Sequence, residues 1–456
     1  MPRKDHYAPI LRNWIYPLAQ RLQGRDYSPA MKAAKKNQFL SFMDLGEVQF
    51  NKLRALLQHA YNTVPYYQKT LREFGVQPGD IKTPEDFKLI PILTKELLRQ
   101  NNESFYSTSP DSSVYPATTS GSTGTPLKIM VSQRAALRAN VSRIRSLSWW
   151  GIQLGDREIR LSNTGYTFER DWRKFYHEKI FDPIRNLLMN RKQFSAFTTT
   201  MELMHEQWSA LLNFSPKYLF GFPSAYTHFA YYLQDNGIDG KEANLKLVLT
   251  SGEVLEKKQE KIISEAFGCS VADEYGSIEM GAIAHSHPCG VMHTMDDAVY
   301  VEVVKTDPNE EYGEVVVTNL DNWSYPIIRY NLNDIAKCVH HDHDCPLGLG
   351  FGVLEGLAGR KLDVIKLASG RIIYNHYFQN LIKHIKGIRQ YQVIQKQPDL
   401  FELNIIPDYE IYDMEQNSTI QGVFKEHLEG STIEINIVDQ INRDPSGKFR
   451  FVISEL

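Results

Sequence analysis

Between about residues 114 and 355, short apolar runs alternate with helical stretches, and this alternation restricts the chain to an α/β architecture. Lys246 to Leu249 (Lys-Leu-Val-Leu) runs straight into Thr250-Ser251-Gly252, and Glu314 to Thr318 forms a second such run. Ahead of this region, residues up to about 100 read as helical. Glu47 to Tyr61 carries Leu53, Leu56 and Leu57, and Val64-Pro65 then breaks the pattern. Near residue 356 the texture changes. Gly356 and Gly359 bracket a short link, and Leu362 to Leu367 and Arg371 to Tyr374 read as paired strands around Ser369-Gly370. A helix around 375–386 and strands near 390–405 and 432–438 follow. At 456 residues the chain exceeds one ordinary core. The expectation is a large multi-sheet N-terminal domain over 1–357 and a small, mobile α+β C-terminal domain over 358–456.

The balance of residues narrows the function classes. Apolar residues make up 42% and charged residues 23%, and the net charge is −3, so no basic excess points to nucleic acid. Four cysteines are too few for a disulfide scaffold, which suits a reducing cytoplasm. No apolar run approaches the roughly 20 residues that span a bilayer. One segment keeps a membrane surface in view. Ile10, Leu11, Trp14, Ile15, Leu18 and Leu22 recur at helical spacing beside Arg12, Gln20, Arg21 and Arg25. The expectation is that this stripe packs on the main domain.

Two segments carry the chemistry. Thr118-Thr119-Ser120-Gly121-Ser122-Thr123-Gly124-Thr125-Pro126-Leu127-Lys128 combines small residues, which let the backbone approach a polyphosphate, with hydroxyls and clustered amides that can donate to it. It lacks the Gly-Lys-Ser/Thr spacing of a Walker loop, and alone it also describes a flexible surface loop. Asp273-Glu274-Tyr275-Gly276-Ser277-Ile278-Glu279 sets an aromatic ring beside a glycine, where a base can stack, and a carboxylate four residues on that can hold magnesium.

Together these segments resemble the phosphate loop and the adenine/magnesium motif of the adenylate-forming superfamily. Three further matches follow in that family's order. Arg329-Tyr330-Asn331-Leu332-Asn333-Asp334 resembles its ribose-binding segment, Gly359-Arg360-Lys361-Leu362-Asp363-Val364-Ile365-Lys366 its hinge, and Pro445-Ser446-Gly447-Lys448 its C-terminal lysine motif. Val64-Pro65-Tyr66-Tyr67 and Gly221-Phe222-Pro223-Ser224 resemble the phenylacetate–CoA ligase and CapK-like branch, whose CapK-like members are associated with surface-polysaccharide loci.

The resemblance implies an AMP-forming ligase: a carboxylate attacks the α-phosphate of ATP, pyrophosphate leaves, and a thiol (coenzyme A or a carrier protein) or an amine displaces AMP. Ser120, Gly121, Ser122, Thr123, Gly124 and Thr125 would hold the phosphates, with Lys128 nearby. Tyr275, with Gly276 and Ser277, would stack on adenine, and Ser251-Gly252-Glu253 would border the base. Glu279 would ligate Mg2+, Asp334 would accept from both ribose hydroxyls, and Arg360 would reach ribose or phosphate. Asp363 would serve the hinge and Lys448 would bridge carboxylate and α-phosphate. Phe222 and Tyr226 would wall the acid pocket. The family commonly has glycine just before the ribose aspartate; here it is Asn333, which tolerates positive φ. A structural zinc is implied for some branch members, and Cys289, His293, Cys345 and a neighbouring histidine such as His343 offer an N/S set. Leu347 stands where a second cysteine would be. A homodimer fits the branch. Two alternatives stay open: transfer of AMP onto a hydroxyl, and a non-catalytic nucleotide-binding scaffold.

Overall fold

The structure, a computed structural model, describes residues 5–119, 127–162, 182–196, 200–341, 343–360, 365–369, 371–373, 375–382, 385–443 and 449–456. The first helix, α1, runs as an α-helix over Tyr7–Ile10, a π-helical turn over Leu11–Ile15 and an α-helix again over Tyr16–Leu22. Pro17 explains the widened turn: it has no N–H for the carbonyl of Asn13, and its ring would clash there. The expected packing of the stripe holds for one side. Leu11 is buried and Ile15 half-buried, against Tyr16, Tyr27, Met31, Leu137 and Val141. Ile10, Trp14, Leu18 and Leu22 instead face outward, at 51%, 74%, 58% and 81% exposure. Helix α2 (Tyr27–Asn37) follows. In α3 (Phe42–Thr63) the Ser41 hydroxyl accepts from the Asp44 amide at the start. Val64 is extended before Pro65, which opens α4 (Pro65–Glu73).

The short helix α5 (Lys95–Gln100) is capped by Thr94. Antiparallel strands β1 (Val114–Thr119) and β2 (Leu127–Ser132) precede α6 (Gln133–Trp149), which Ser132 caps. The main sheet contains, in chain order, β3 (Glu158–Ser162), β4 (Arg191–Ser195), β5 (Tyr218–Gly221), β6 (Leu247–Ser251), β7 (Ser270–Ser277), β8 (Gly281–Ser286) and β9 (Met292–Thr294). Strands β3 to β7 are parallel, and pairing becomes antiparallel from β7 onward. Helices α7 (Asp182–Leu188), α8 (Met201–Phe214), α9 (Pro223–Asp235) and α10 (Lys257–Phe267) connect the strands. The two-sided apolar run of β6 follows from cover on both faces. Leu247 and Leu249 join Leu147, Tyr218 and Ala272, whereas Val248 joins Trp208, Phe229 and Ile263. An antiparallel sheet of β10 (Val299–Val304), β11 (Gly313–Asn319), β12 (Tyr330–Ala336) and β15 (Gly359–Arg360) lies beside it. Strands β13 (Cys338–His340) and β14 (Val353–Glu355) extend the main sheet, giving nine strands among the described residues.

The C-terminal part has its own core, including Ile365, Phe378, Val393, Phe401, Leu403, Phe424 and Val452. Strands β16 (Ile365–Lys366) and β17 (Ile372–Ile373) pair as the sequence suggests. Helix α11 (Asn375–Ile382) and strands β18 (Ile388–Gln397) and β19 (Leu400–Pro407) follow, then α12 (Gln416–His427), β20 (Thr432–Ile437) and β21 (Val452–Ser454), with sheet order β20-β19-β18-β21. This part sits against α9 and the start of α10 through polar contacts. Arg389 forks onto Asp235 at 2.6 and 2.7 Å, and the Tyr391 hydroxyl donates to Glu256 at 3.2 Å. The whole is a mixed α/β fold of several sheets.

Candidate active site

Parallel strands end at one edge of the main sheet, where ligands of open α/β sheets gather. At the end of β6 the Ser251 hydroxyl donates to the Glu274 carbonyl at 2.8 Å, and Gly252 adopts φ +85°. At the end of β7 the pairing with β8 shifts register between Tyr275 and Gly276. A Cβ at Gly276 would stand 2.5 Å from the Gly281 carbonyl oxygen, so a side chain cannot fit. The Ser277 hydroxyl accepts from the Met280 amide at 3.1 Å, shaping the turn that presents Glu279.

The second sheet meets this edge. The Tyr275 hydroxyl donates to Asp334 Oδ2 at 2.7 Å, and Arg360, the cross-strand neighbour of Asp334, places Nε 4.0 Å from Oδ1. Burial, with the Asp334 carboxylate beside it, holds the Tyr275 phenol well above its ordinary range. The Tyr330 hydroxyl donates to Glu279 Oε1 at 3.4 Å. Asn333 takes φ +58°, the left-handed conformation expected where the family has glycine, and its amide donates to Asn331 Oδ1 at 2.8 Å. The start of β12 is fixed by Arg329, whose guanidinium spans both Glu302 oxygens at 2.9 and 3.0 Å.

Sequence reasoning missed Lys95. The Leu93 amide donates to the Arg329 carbonyl at 2.8 Å and the Asn331 amide to the Leu93 carbonyl at 2.9 Å, which lays the start of α5 beside β12. Lys95 thereby comes within electrostatic reach of Glu279 and Arg360. Burial lowers its pKa, the Glu279 charge raises it, and Arg360 lowers it further. Thr94 as a helix cap is the one signal the sequence offers.

Glu253 holds a junction. Its carboxylate accepts from the Ser224 amide at 3.1 Å and the Phe449 amide at 2.7 Å, and Arg443 Nη1 lies 3.4 Å away. Arg443 also donates to the Ser224 hydroxyl at 2.8 Å. On the α6 face of the strands, Arg143 Nε lies 3.3 Å from Glu274 Oε2 with its guanidinium over the Phe220 ring. Glu158 is held low despite burial by Arg160, Arg191 and Arg143.

A second cluster lies around β9. One ligand atom each of His287, Cys289, His293 and Cys345 falls within 4.8 Å of the others. Cys289 Sγ is 2.9 Å from His287 Nδ1, 3.7 Å from His293 Nε2 and 3.9 Å from Cys345 Sγ. Bond lengths of 2.0–2.3 Å around tetrahedral zinc imply ligand separations of about 3.3–3.8 Å, so the donor set fits. His293 Nδ1 lies 3.2 Å from both the Phe351 and Gly352 carbonyls, which turns Nε2 toward the cluster. The group of four contains His287 where His343 was expected, and the His343 ring lies 5.7 Å from that of His293, close to the 5.4 Å of the His287 ring.

Residues 366–455 match the family model of the CapK C-terminal domain. The phenylacetate-coenzyme A ligase of Pseudomonas putida is 24% identical over 308 residues, 64% of this chain and 66% of that enzyme. That of Aromatoleum evansii is 21% identical over 376 residues, 80% of each. Among solved structures, 2-hydroxyisobutyryl-CoA ligase in the postadenylation state with 2-HIB-AMP superposes with a TM-score of 0.74, at 20% identity over 92% of both chains. In its thioesterification state with CoA the TM-score is 0.60, at 21% identity over 92% of this chain and 91% of that one.

These comparisons support the resemblance to the adenylate-forming superfamily, in its phenylacetate–CoA ligase and CapK-like branch. The enzyme class read from the motifs, an AMP-forming ligase, stands with it. Of the residues expected in an adenylate-forming site, Ser251, Gly252, Tyr275, Gly276, Ser277, Glu279, Asp334 and Arg360 gather at one sheet edge. Glu253 adjoins them, with its carboxylate turned to Arg443 and Phe449. Ser120, Gly121, Ser122, Thr123, Gly124, Thr125, Asp363 and Lys448 lie outside the described residues. Lys128 is exposed on β2, and its carbonyl accepts from Asn102 at 2.6 Å. Phe222 is half-buried before α9. Tyr226 is fully buried on α9, and a Cβ at Gly221 would stand 3.1 Å from its ring.

Proposed function

We propose that this protein activates a small carboxylic acid with ATP, forming an acyl-adenylate and pyrophosphate, and then passes the acyl group to coenzyme A or another thiol or amine. The observation that carries the reading is the Tyr275–Asp334–Arg360 arrangement where β7 meets the antiparallel sheet, with Glu279 beside it and Lys95, at the start of α5, within electrostatic reach. Tyr275 would lie against adenine, and Asp334 would accept from the ribose hydroxyls while Tyr275 orients it. Arg360 and Lys95 would face the phosphates, where fixed positive charge stabilises the developing negative charge. Glu279 would hold Mg2+, which supplies charge neutralisation on the phosphates. Lys448 would bridge the attacking carboxylate and the α-phosphate. Arg443 and Phe449 flank the segment that carries Lys448, and both engage Glu253 beside this edge, which supports an adenylation-side placement of the C-terminal part.

We place the division between the catalytic body and the lysine-bearing domain at 357/358, and the activity in the cytoplasm, where ATP and coenzyme A are available. A structural zinc on His287, Cys289, His293 and Cys345 would tie β9 to the segment before β14. The CapK-type C-terminal part supports a setting in surface-polysaccharide synthesis. The test is mass spectrometry of hydroxamates formed with ATP, magnesium, hydroxylamine and a panel of carboxylic acids. A hydroxamate from one acid class, lost in Lys448→Ala, is expected. ATP binding with no hydroxamate from any acid would overturn the reading in favour of AMP transfer onto a hydroxyl.

A further inference from the structure

The outward side of α1 is an apolar row with no counterpart in the nucleotide site. Ile10, Trp14, Leu18 and Leu22 repeat every four residues, at 51%, 74%, 58% and 81% exposure. At 3.6 residues per turn such a row drifts around the helix by about 40° per step. The wider π turn over Leu11–Ile15 slows that drift and keeps the four side chains nearer one line. A second helix extends the same surface. The Tyr7 hydroxyl donates to the Leu188 carbonyl at 2.9 Å and Asn190 Nδ2 to Asp5 at 2.7 Å, which sets α7 against the start of α1. Helix α7 adds Ile184, Leu187 and Leu188, at 51%, 76% and 49% exposure. Monomeric soluble proteins rarely gather seven large apolar side chains outward on adjoining helices without a partner.

The charge around this surface identifies the partner. Residues 5–37 and 182–196 hold nine lysines and arginines against three aspartates, in a chain whose net charge is −3. Arg21, Lys32, Lys35, Lys36, Arg185 and Lys192 are exposed, whereas Asp26 is the one exposed acid in these two segments. Asp182 is occupied by Arg185 at 2.9 Å. A basic surround, a protruding tryptophan and leucines on a helix lying along the protein surface suit the headgroup layer of an anionic bilayer, where the indole and leucines enter the acyl boundary and the cations meet lipid phosphates. No helix among the described residues is long and apolar enough to cross a membrane, so the attachment is peripheral.

We propose that the α1–α7 face docks on an anionic membrane surface, lying flat with Trp14 and Leu22 inserted. The test is co-sedimentation of the full chain with vesicles of phosphatidylglycerol and phosphatidylcholine, beside pure phosphatidylcholine, at low and high salt. Binding is expected on the anionic vesicles, weakening with salt. Trp14→Ser/Leu22→Ser, both far out in solvent, should keep the melting temperature and bind about tenfold more weakly. Arg21→Glu/Lys35→Glu/Lys36→Glu should lose the preference for anionic lipid. Absence of wild-type binding, or equal binding by Trp14→Ser/Leu22→Ser, overturns the proposal. So does a concentration-dependent dimer that this double variant abolishes, which would make a second copy the occupant.

Discussion

The Tyr275 hydroxyl reaches Asp334 Oδ2 across 2.7 Å, joining the last turn of the parallel sheet to the antiparallel sheet beside it. Both partners are expected at the nucleotide, so one hydrogen bond couples the base platform to the ribose acceptor. Tyr275→Phe keeps the ring and deletes the donor. A hydrogen bond to a charged acceptor contributes about 1.5–3 kcal/mol, and Asp334 retains some water. ATP affinity measured by calorimetry should fall about fivefold, and unfolding in urea should show a loss of roughly 1 kcal/mol. An unchanged ATP affinity would remove Tyr275 from the platform.

Glu253→Gln tests the junction. Arg443 loses its counter-charge, and because the Ser224 and Phe449 amides bind different carboxylate oxygens, only one of them keeps an acceptor while the other meets the new NH2 group. The C-terminal part should detach more readily, read as faster proteolysis of the link near 356–363, and adenylation should slow about tenfold. Arg389→Ala, at the partly exposed Asp235 pair, should loosen the same contact with a smaller kinetic effect.

The cysteine–histidine cluster predicts one zinc per chain by elemental analysis. His287→Ala and Cys345→Ser should lose it, and His343→Ala should retain it. Chelation should lower the melting temperature, since folding and metal binding share free energy, and leave ATP binding intact. Wild-type protein purified without zinc would refute the assignment.

Asp273 gives a pH signature. Burial raises its carboxyl to about 7, against the opposing hydrogen bond from the Thr250 hydroxyl, at 2.7 Å. The folded chain therefore holds this proton to higher pH than the unfolded chain. Its contribution to stability is fully present below about pH 4 and is lost as pH rises toward 7. Asp273→Asn should be more stable than wild type at pH 8, on the order of 2 kcal/mol, with the difference vanishing near pH 4. Parallel denaturation curves at the two pH values measure this.

The strands at 247 and 313 were legible because fully covered strands must be continuously apolar, and Asn333 because a left-handed position admits few residue types. Lys95 was hidden because its place depends on the bridge between Leu93 and Tyr330, more than 230 residues apart. The choice of His287 over His343 turns on how β9 and the loop before β14 meet. For α1, spacing revealed an apolar stripe but not which side faced in, since the π turn over Leu11–Ile15, ahead of Pro17, resets the phase.

Glu253 also has a thermodynamic consequence. In the docked position its carboxylate is about 2% exposed, with protein donors in place of water. Any withdrawal of the C-terminal part strips away Arg443 and Phe449 together, and a bare buried carboxylate must then be hydrated. Withdrawal and water entry at the end of β6 are thus one event, and the undocked state takes up solvent. Osmolytes that lower water activity should bias the equilibrium toward the docked form, which makes hydration, and not contact alone, the variable that sets how long the lysine segment stays in place.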